Sequence, residues 1–229
     1  GVTAAERALQ KLGSRRIPTG EYPVIFDATV SGSLISHLLS GISGGLLYKK
    51  ASFLTDQLGE KIFPETIDIF EHPRLYSAMN SACFDGEGVA TPDQRGVVEG
   101  GYLRGYVLGS YTARKLDMQS TANSGGVRNV RVSHGDKTRD DLLRDMGTGL
   151  LVTDFIGSGI NMLTGDYSRG ASGFWVEGGE IQFPVHEVTV AGKLPQMFSG
   201  FQEIAADSLN RGNIHCGSIL LDKLTVAGD

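Results

Sequence analysis

The chain has 229 residues, with 21 Lys and Arg against 26 Asp and Glu, a formal net charge of −5 and a pI of about 5.5. That balance argues against a general nucleic-acid binder, which needs clustered basic charge to displace counterions from phosphates. A hydrophobic content of 40% excludes whole-chain disorder, and 32 glycines without a three-residue period point to many tight turns in a sheet-rich protein.

In chain order, Thr3 to Glu6 has the pattern of a capping box, leading into a short helix through Leu9 and Leu12 that Gly13 closes. Tyr22 to Phe26 reads as a strand. Ser31 or Ser33 then caps a helix carrying Leu34, Leu38 and Ile42 on one face, which Gly41, Gly44 and Gly45 end. Strand-like runs follow at Ile67 to Phe70, Gly101 to Ser110, Asn129 to Ser133 and Leu150 to Thr153, with a helix over Thr138 to Met146. The clearest hairpin joins Gly173 to Glu177 with Glu180 to Val185, because Gly178 and Gly179 supply the positive φ of a primed turn. Glu187 to Val190 reads as another strand, Lys193 to Leu209 as a helix, and Ser218 to Leu221 with Leu224 to Val226 as closing strands. The expected architecture is α+β, a sheet-rich single domain with antiparallel or mixed sheet and a few helices.

The uncharged run Ala28 to Tyr48 is long enough to cross a bilayer, but its five serines and four glycines leave it too polar for a spanning helix. Two cysteines, Cys83 and Cys216, make no disulfide framework, so a reducing compartment, the cytoplasm, is the expected location. The start at Gly1 rather than Met points to a fragment of a longer protein.

Few motifs carry chemistry. Gly41-Ile42-Ser43-Gly44-Gly45 matches the G-x-S-x-G nucleophile elbow, yet its serine sits at the tail of a helix rather than on a strand-to-helix turn. The five histidines are scattered singly, without metal-ligand spacing, and adjacent His215 and Cys216 would point to opposite faces of a strand. Arg128, Arg131, Lys137 and Arg139 are interleaved with Asp136, Asp140 and Asp141, as on a solvated mixed-charge surface. The most function-like stretch is Gly165 to Gly170, where Asp166, Tyr167, Ser168 and Arg169 in a glycine-rich loop suit recognition of an extended polar ligand. An internal Asp166–Arg169 ion pair pinning that loop is the competing reading.

The blocks Gly147 to Thr153, Leu163 to Glu177, Ile181 to Val185 and Asn213 to Leu221, with Tyr111 to Leu116 and Ser120-Thr121, run in order along nearly the whole chain. They resemble the C-terminal domain of the PmbA/TldE proteins of the TldD/PmbA metalloprotease family, historically labelled modulators of DNA gyrase. The resemblance implies that residues 1–229 form this domain, with the family's N-terminal domain absent from the chain. It also implies a place in a cytosolic TldD/TldE zinc metalloprotease system acting on unfolded peptides, including peptide-antibiotic precursors. The TldD subunit carries an H-E-x-x-x-H zinc helix. The corresponding helix here is Ser33 to Gly45, with Ile35 and Ser40 at the histidine positions and Ser36 at the glutamate's. Cys216 looks like the counterpart of the third ligand, a residual ligand-like position.

No catalytic residue and no metal are therefore expected in this chain, and the zinc is expected in a TldD-type partner. The expected partners are that subunit and an unfolded peptide, without direct nucleic-acid or membrane contact, and a homo-oligomer is possible for the chain alone. Two alternatives stand beside this: a peptidase using Cys216 with a nearby histidine, and a purely structural assembly domain. Trp175, with Phe174 and Phe183, is expected to place part of the Gly173 to Val185 hairpin under another subunit or an extended peptide added as a strand, against the alternative that Trp175 fills the domain's own core.

Overall fold

The fold comes from a computed structural model that describes residues 1–228, apart from the side chains of residues 3, 4 and 7. The elements in order are α1 (Val2–Leu9), β1 (Gly20–Phe26), α2 (Gly32–Gly41), α3 (Gly44–Leu47), β2 (Ile69–His72), β3 (Arg95–Glu99), β4 (Tyr102–Leu103), α4 (Ser110–Lys115) and β5 (Asn129–Val132). There follow α5 (Arg139–Met146), β6 (Gly149–Ile156), β7 (Ile160–Asn161), β8 (Asp166–Glu177), β9 (Glu180–Lys193), α6 (Leu194–Ser199), β10 (Phe201–Ile204), β11 (Ile214–His215) and β12 (Ile219–Ala227). This is the expected sheet-rich α+β class.

One sheet runs β1-β6-β8-β9-β12-β10, with β7 on β8, and β1 also pairs with β12, so five of its strands close into a small barrel. All contacts round that ring are antiparallel except β1 with β6. Side chains alternate across the wall. Val24, Phe26, Leu150, Val152, Ile219 and Leu221 point to the main core, while Ile25, Leu151 and Leu220 point outward onto Leu142, Leu143 and Met146 of α5. α5 has the strongest local signals: Thr138 caps it, accepting from Asp141 N while the Asp141 carboxylate accepts from Thr138 N, and Gly147 ends it at φ 67°. The β8–β9 hairpin turns at Gly178 (φ 60°) and Gly179 (φ 80°), as the two glycines require.

A second sheet, β11-β5-β2-β3-β4, is organised around a buried carboxylate. Glu71 on β2 accepts from Arg95 Nη2 at 2.7 Å and Nε at 3.0 Å, from Asn123 Nδ2 at 2.9 Å and from Arg128 N at 2.6 Å. Its side chain is 0% exposed, so every lone pair must be met internally, and those bonds tie β2, β3 and the 121–128 loop together.

Several segments differ from the sequence reading. The helix over Lys193 to Leu209 stops at Ser199, because Gly200 follows and the edge of β12 captures Phe201–Ile204 as β10. Glu187 to Val190 is no separate strand. It continues β9 across a register shift in which Glu187 adopts φ 57°. Of Gly101 to Ser110 only Tyr102–Leu103 is strand, since α4 begins at Ser110. The first helix starts at Val2 on Gly1, which puts Thr3 inside it, and the Thr3 side chain lies outside the described residues.

Two substitutions test this architecture. A Cβ on Gly173 would fall 1.8 Å from the Leu151 carbonyl oxygen across the barrel wall, whereas one on Gly45 meets nothing within 4 Å. Gly173→Ala should cost about 2–4 kcal/mol in chemical denaturation, while Gly45→Ala should not lower the midpoint. Glu71→Leu leaves Arg95 charged and largely buried without its partner, and should cost about 3–5 kcal/mol by the same measurement.

Candidate functional site

A cleft of about 1090 Å³ lies beyond the C-terminal ends of the parallel pair β1 and β6. Its floor is the Asp27 to Val30 turn and the start of α2, with Ser33 and Ser36 facing it. Thr153 to Phe155 of β6 and Arg169 of β8 form one wall, Ile181 to Pro184 of β9 another, and the 209–214 loop closes the third side. The Asp27 carboxylate is fixed by Thr29 N at 2.9 Å and Thr29 Oγ1 at 2.7 Å, and pairs with Arg139 Nη1 at 3.3 Å.

The Gly165 to Gly170 stretch is not a loop, because it forms the first half of β8, paired with both β7 and β9. The Asp166–Arg169 ion pair does not form, since a three-residue separation on a strand sends the two side chains to opposite faces. Asp166 instead pairs with Lys193 Nζ at 2.7 Å, and with Thr164 Oγ1, on the exposed face with Ser168. Those bonds hold the Asp166 carboxyl below its ordinary range, the Lys193 bond first.

On the other face Tyr167 is 2% exposed and Arg169 reaches the cleft. The Arg169 guanidinium stacks on Phe155 with its carbon 4.4 Å from the ring centroid, and its Nε donates to Gly157 O at 3.2 Å. The Tyr167 ring lies edge-on to His37 of α2 at 6.0 Å and to Phe155 at 6.3 Å. Neither Tyr167 Oη nor His37 Nε2 finds a hydrogen-bond partner among the described residues, and each is shut away from solvent. Burial raises the Tyr167 phenol, against which Arg169 pulls without closing a hydrogen bond in this geometry. Burial lowers the His37 imidazole, and the Arg169 charge lowers it further. A neutral imidazole, a protonated phenol and a guanidinium thus form one cluster behind the cleft.

Trp175 is 8% exposed, packs edge-on to Tyr22 at 5.0 Å and donates from Nε1 to Glu177 Oε1 at 2.7 Å, so it fills this domain's own core. Phe183 and Phe174 line the cleft instead. The first half of β9 still offers an edge: its pairing with β12 covers Thr189 to Ala191, and toward Glu180 its outer side pairs, among the described residues, only with Arg15, whose N donates to Pro184 O at 2.9 Å.

The residues present do not fit a zinc centre. Among the described residues no three His, Cys, Asp or Glu side chains come together. On α2, Ile35 is wholly buried in the core, Ser36 lines the cleft and Ser40 is exposed. Cys216 is 3% exposed, and its thiol is pushed up to about 12, chiefly by burial, so it is a poor nucleophile and a poor metal ligand. Ser43 caps α3 between two helices, lining a separate small cavity, which is the wrong context for a nucleophile elbow. Arg211, Phe155 and Asp27 were not singled out in the sequence; the only local signal is the turn-forming Arg211-Gly212-Asn213 before β11.

The His37 environment predicts a pH dependence. Its ordinary value of 6.5 is lowered on folding, so its contribution to stability is complete above about pH 6.5 and is lost as pH falls below it. His72 is lowered in the same direction by burial and by Arg131. The thermal midpoint of His37→Phe should fall less than that of the unaltered protein between about pH 6.5 and 5, leaving the His72 share. Superimposable profiles would refute the assignment.

Residues 19–228 match the family description "PmbA/TldA metallopeptidase C-terminal domain". The Metalloprotease PmbA homolog of Haemophilus influenzae is 48% identical over 232 residues, covering 100% of this chain and 51% of that protein. A Metalloprotease TldD homolog of Buchnera aphidicola is 23% identical over 252 residues, covering 98% of this chain and 52% of the relative. Among solved structures, a putative modulator of DNA gyrase from Bacteroides thetaiotaomicron superimposes with a TM-score of 0.95 at 32% identity, over 100% of this chain and 52% of its own. TldE from Thermococcus kodakarensis superimposes with a TM-score of 0.83 at 25% identity, over 99% and 55%. The chain spans about half the length of each. It belongs to the PmbA/TldA metallopeptidase family.

Proposed function

We propose that this chain is the C-terminal domain of a TldE-type, non-catalytic subunit that works with a zinc-bearing TldD-type chain on unfolded peptides in the cytoplasm. The observation that carries this reading is the side chains of α2. Where the resemblance to the family's zinc helix puts two histidines and a glutamate, this chain has Ile35, Ser40 and Ser36. Cys216 remains at the third position but is buried as a neutral thiol, and one donor of that kind does not make a site that needs about three. The role left to the subunit is to help hold the peptide, for which the cleft and the adjoining edge of β9 give room. No helix of the described residues is long and apolar enough to cross a membrane.

The purified protein should carry zinc far below one atom per chain and cleave no unfolded peptide alone, yet support chelator-sensitive cleavage when mixed with a TldD-type chain. Stoichiometric zinc together with peptidase activity of the lone protein would overturn the reading. Cys216→Ser should leave the activity of the mixture unchanged.

A further inference from the structure

The cleft is more cationic than the protein around it. Its charged lining is Lys11, Arg139, Arg169 and Arg211 against Asp27 and Asp154, in a chain whose formal charge is −5. The two carboxylates are already engaged, Asp154 by Lys11 and Asp27 by Arg139. Arg169 and Arg211 have no carboxylate partner among the described residues. Arg169 is also held in place: stacking on Phe155 and the Nε bond to Gly157 O fix its plane and leave the terminal N–H groups free. A guanidinium so oriented is suited to a carboxylate, which its paired donors match in spacing.

The rest of the lining mixes polar side chains, Ser33, Ser36, Thr153, Gln182 and Asn213 among them, with an apolar set. Phe155, Phe174 and Phe183 face the same space, and β9 passes along it from Ile181 to Pro184 with its outer edge largely unpaired. An occupant with an anionic end, an apolar body and a backbone able to pair with a strand satisfies all three features. We infer that the cleft binds the C-terminal end of an extended apolar peptide, with the terminal carboxylate on Arg169 and Arg211 and the last side chains against the phenylalanines.

This names the peptide end that the proposed function leaves open. It is tested by binding alone, without partner or cleavage, so its failure would leave that function standing. The probe is a fluorescein-labelled, unstructured peptide of about ten residues ending in Leu-Phe, as the free acid and as the C-terminal amide, read by anisotropy on the purified protein. The acid should bind at least about tenfold tighter than the amide, the worth of a charge-assisted pair. That gap should collapse in Arg169→Gln and in Arg211→Gln. Arg211 lies on an exposed turn, so its variant should keep the fold even if Arg169→Gln does not, which a thermal melt reports. Equal binding of acid and amide, including no binding of either, overturns the proposal, as does a gap that survives in Arg211→Gln. Dodecanoate competing as strongly as the peptide acid would also overturn it, making the occupant an alkyl carboxylate rather than a peptide.

Discussion

The pairing of β1 with β12 is the constraint on which the molecule depends. Six register pairs, from Gly20 with Val226 to Phe26 with Ile219, join the first strand to the last. Without them β1-β6-β8-β9-β12 is an open sheet rather than a ring. With them Val24, Phe26, Ile219 and Leu221 meet in one interior, and β1 presents its C-terminal end beside that of β6. The cleft lies just past those two ends, so the closure that makes the core also places the site. Ser218 works at the same joint: its hydroxyl donates to Asp207 and accepts from Ala28 N, tying the entry of β12 to the turn that floors the cleft.

Around this ring the protein uses polar groups in two distinct ways. In the second sheet Glu71 is buried with its bonds complete, an arrangement that fixes geometry and leaves nothing over for a ligand. Behind the cleft the opposite holds: Tyr167 Oη and His37 Nε2 are enclosed without hydrogen-bond partners among the described residues, beside a guanidinium with donors to spare. Both lie on the α2–β8 contact, where the family resemblance places zinc chemistry. In this chain that position holds serines, an isoleucine and an arginine.

What the sequence made legible follows the range of the forces involved. The Gly178-Gly179 hairpin and the capped helix α5 are written in neighbouring residues and appear where the pattern puts them. The Lys193 to Leu209 helix fails because a strand some distance away in sequence offers Phe201–Ile204 unpaired hydrogen-bonding groups, which outweighs a local helical pattern. Arg169 and Tyr167 stood out for a reason the fold does not share, since their glycine-rich surroundings are a strand in close contact with its neighbours rather than a loop. The cleft itself was not readable. Asp27, Phe155, Arg169 and Arg211 come from four separate segments, and only the barrel brings them together.

Closing a ring with its two terminal strands has a cost in time. About 190 residues separate Phe26 from Ile219, a loop whose closure entropy must be met before the pairing yields anything. On a ribosome making roughly 5–20 residues per second, β1 leaves the tunnel some ten seconds or more before its partner exists. During that interval its Val24-Ile25-Phe26 segment, apolar on both faces in the finished barrel, lacks its β12 partner. The barrel's closure thus waits on the synthesis of β12.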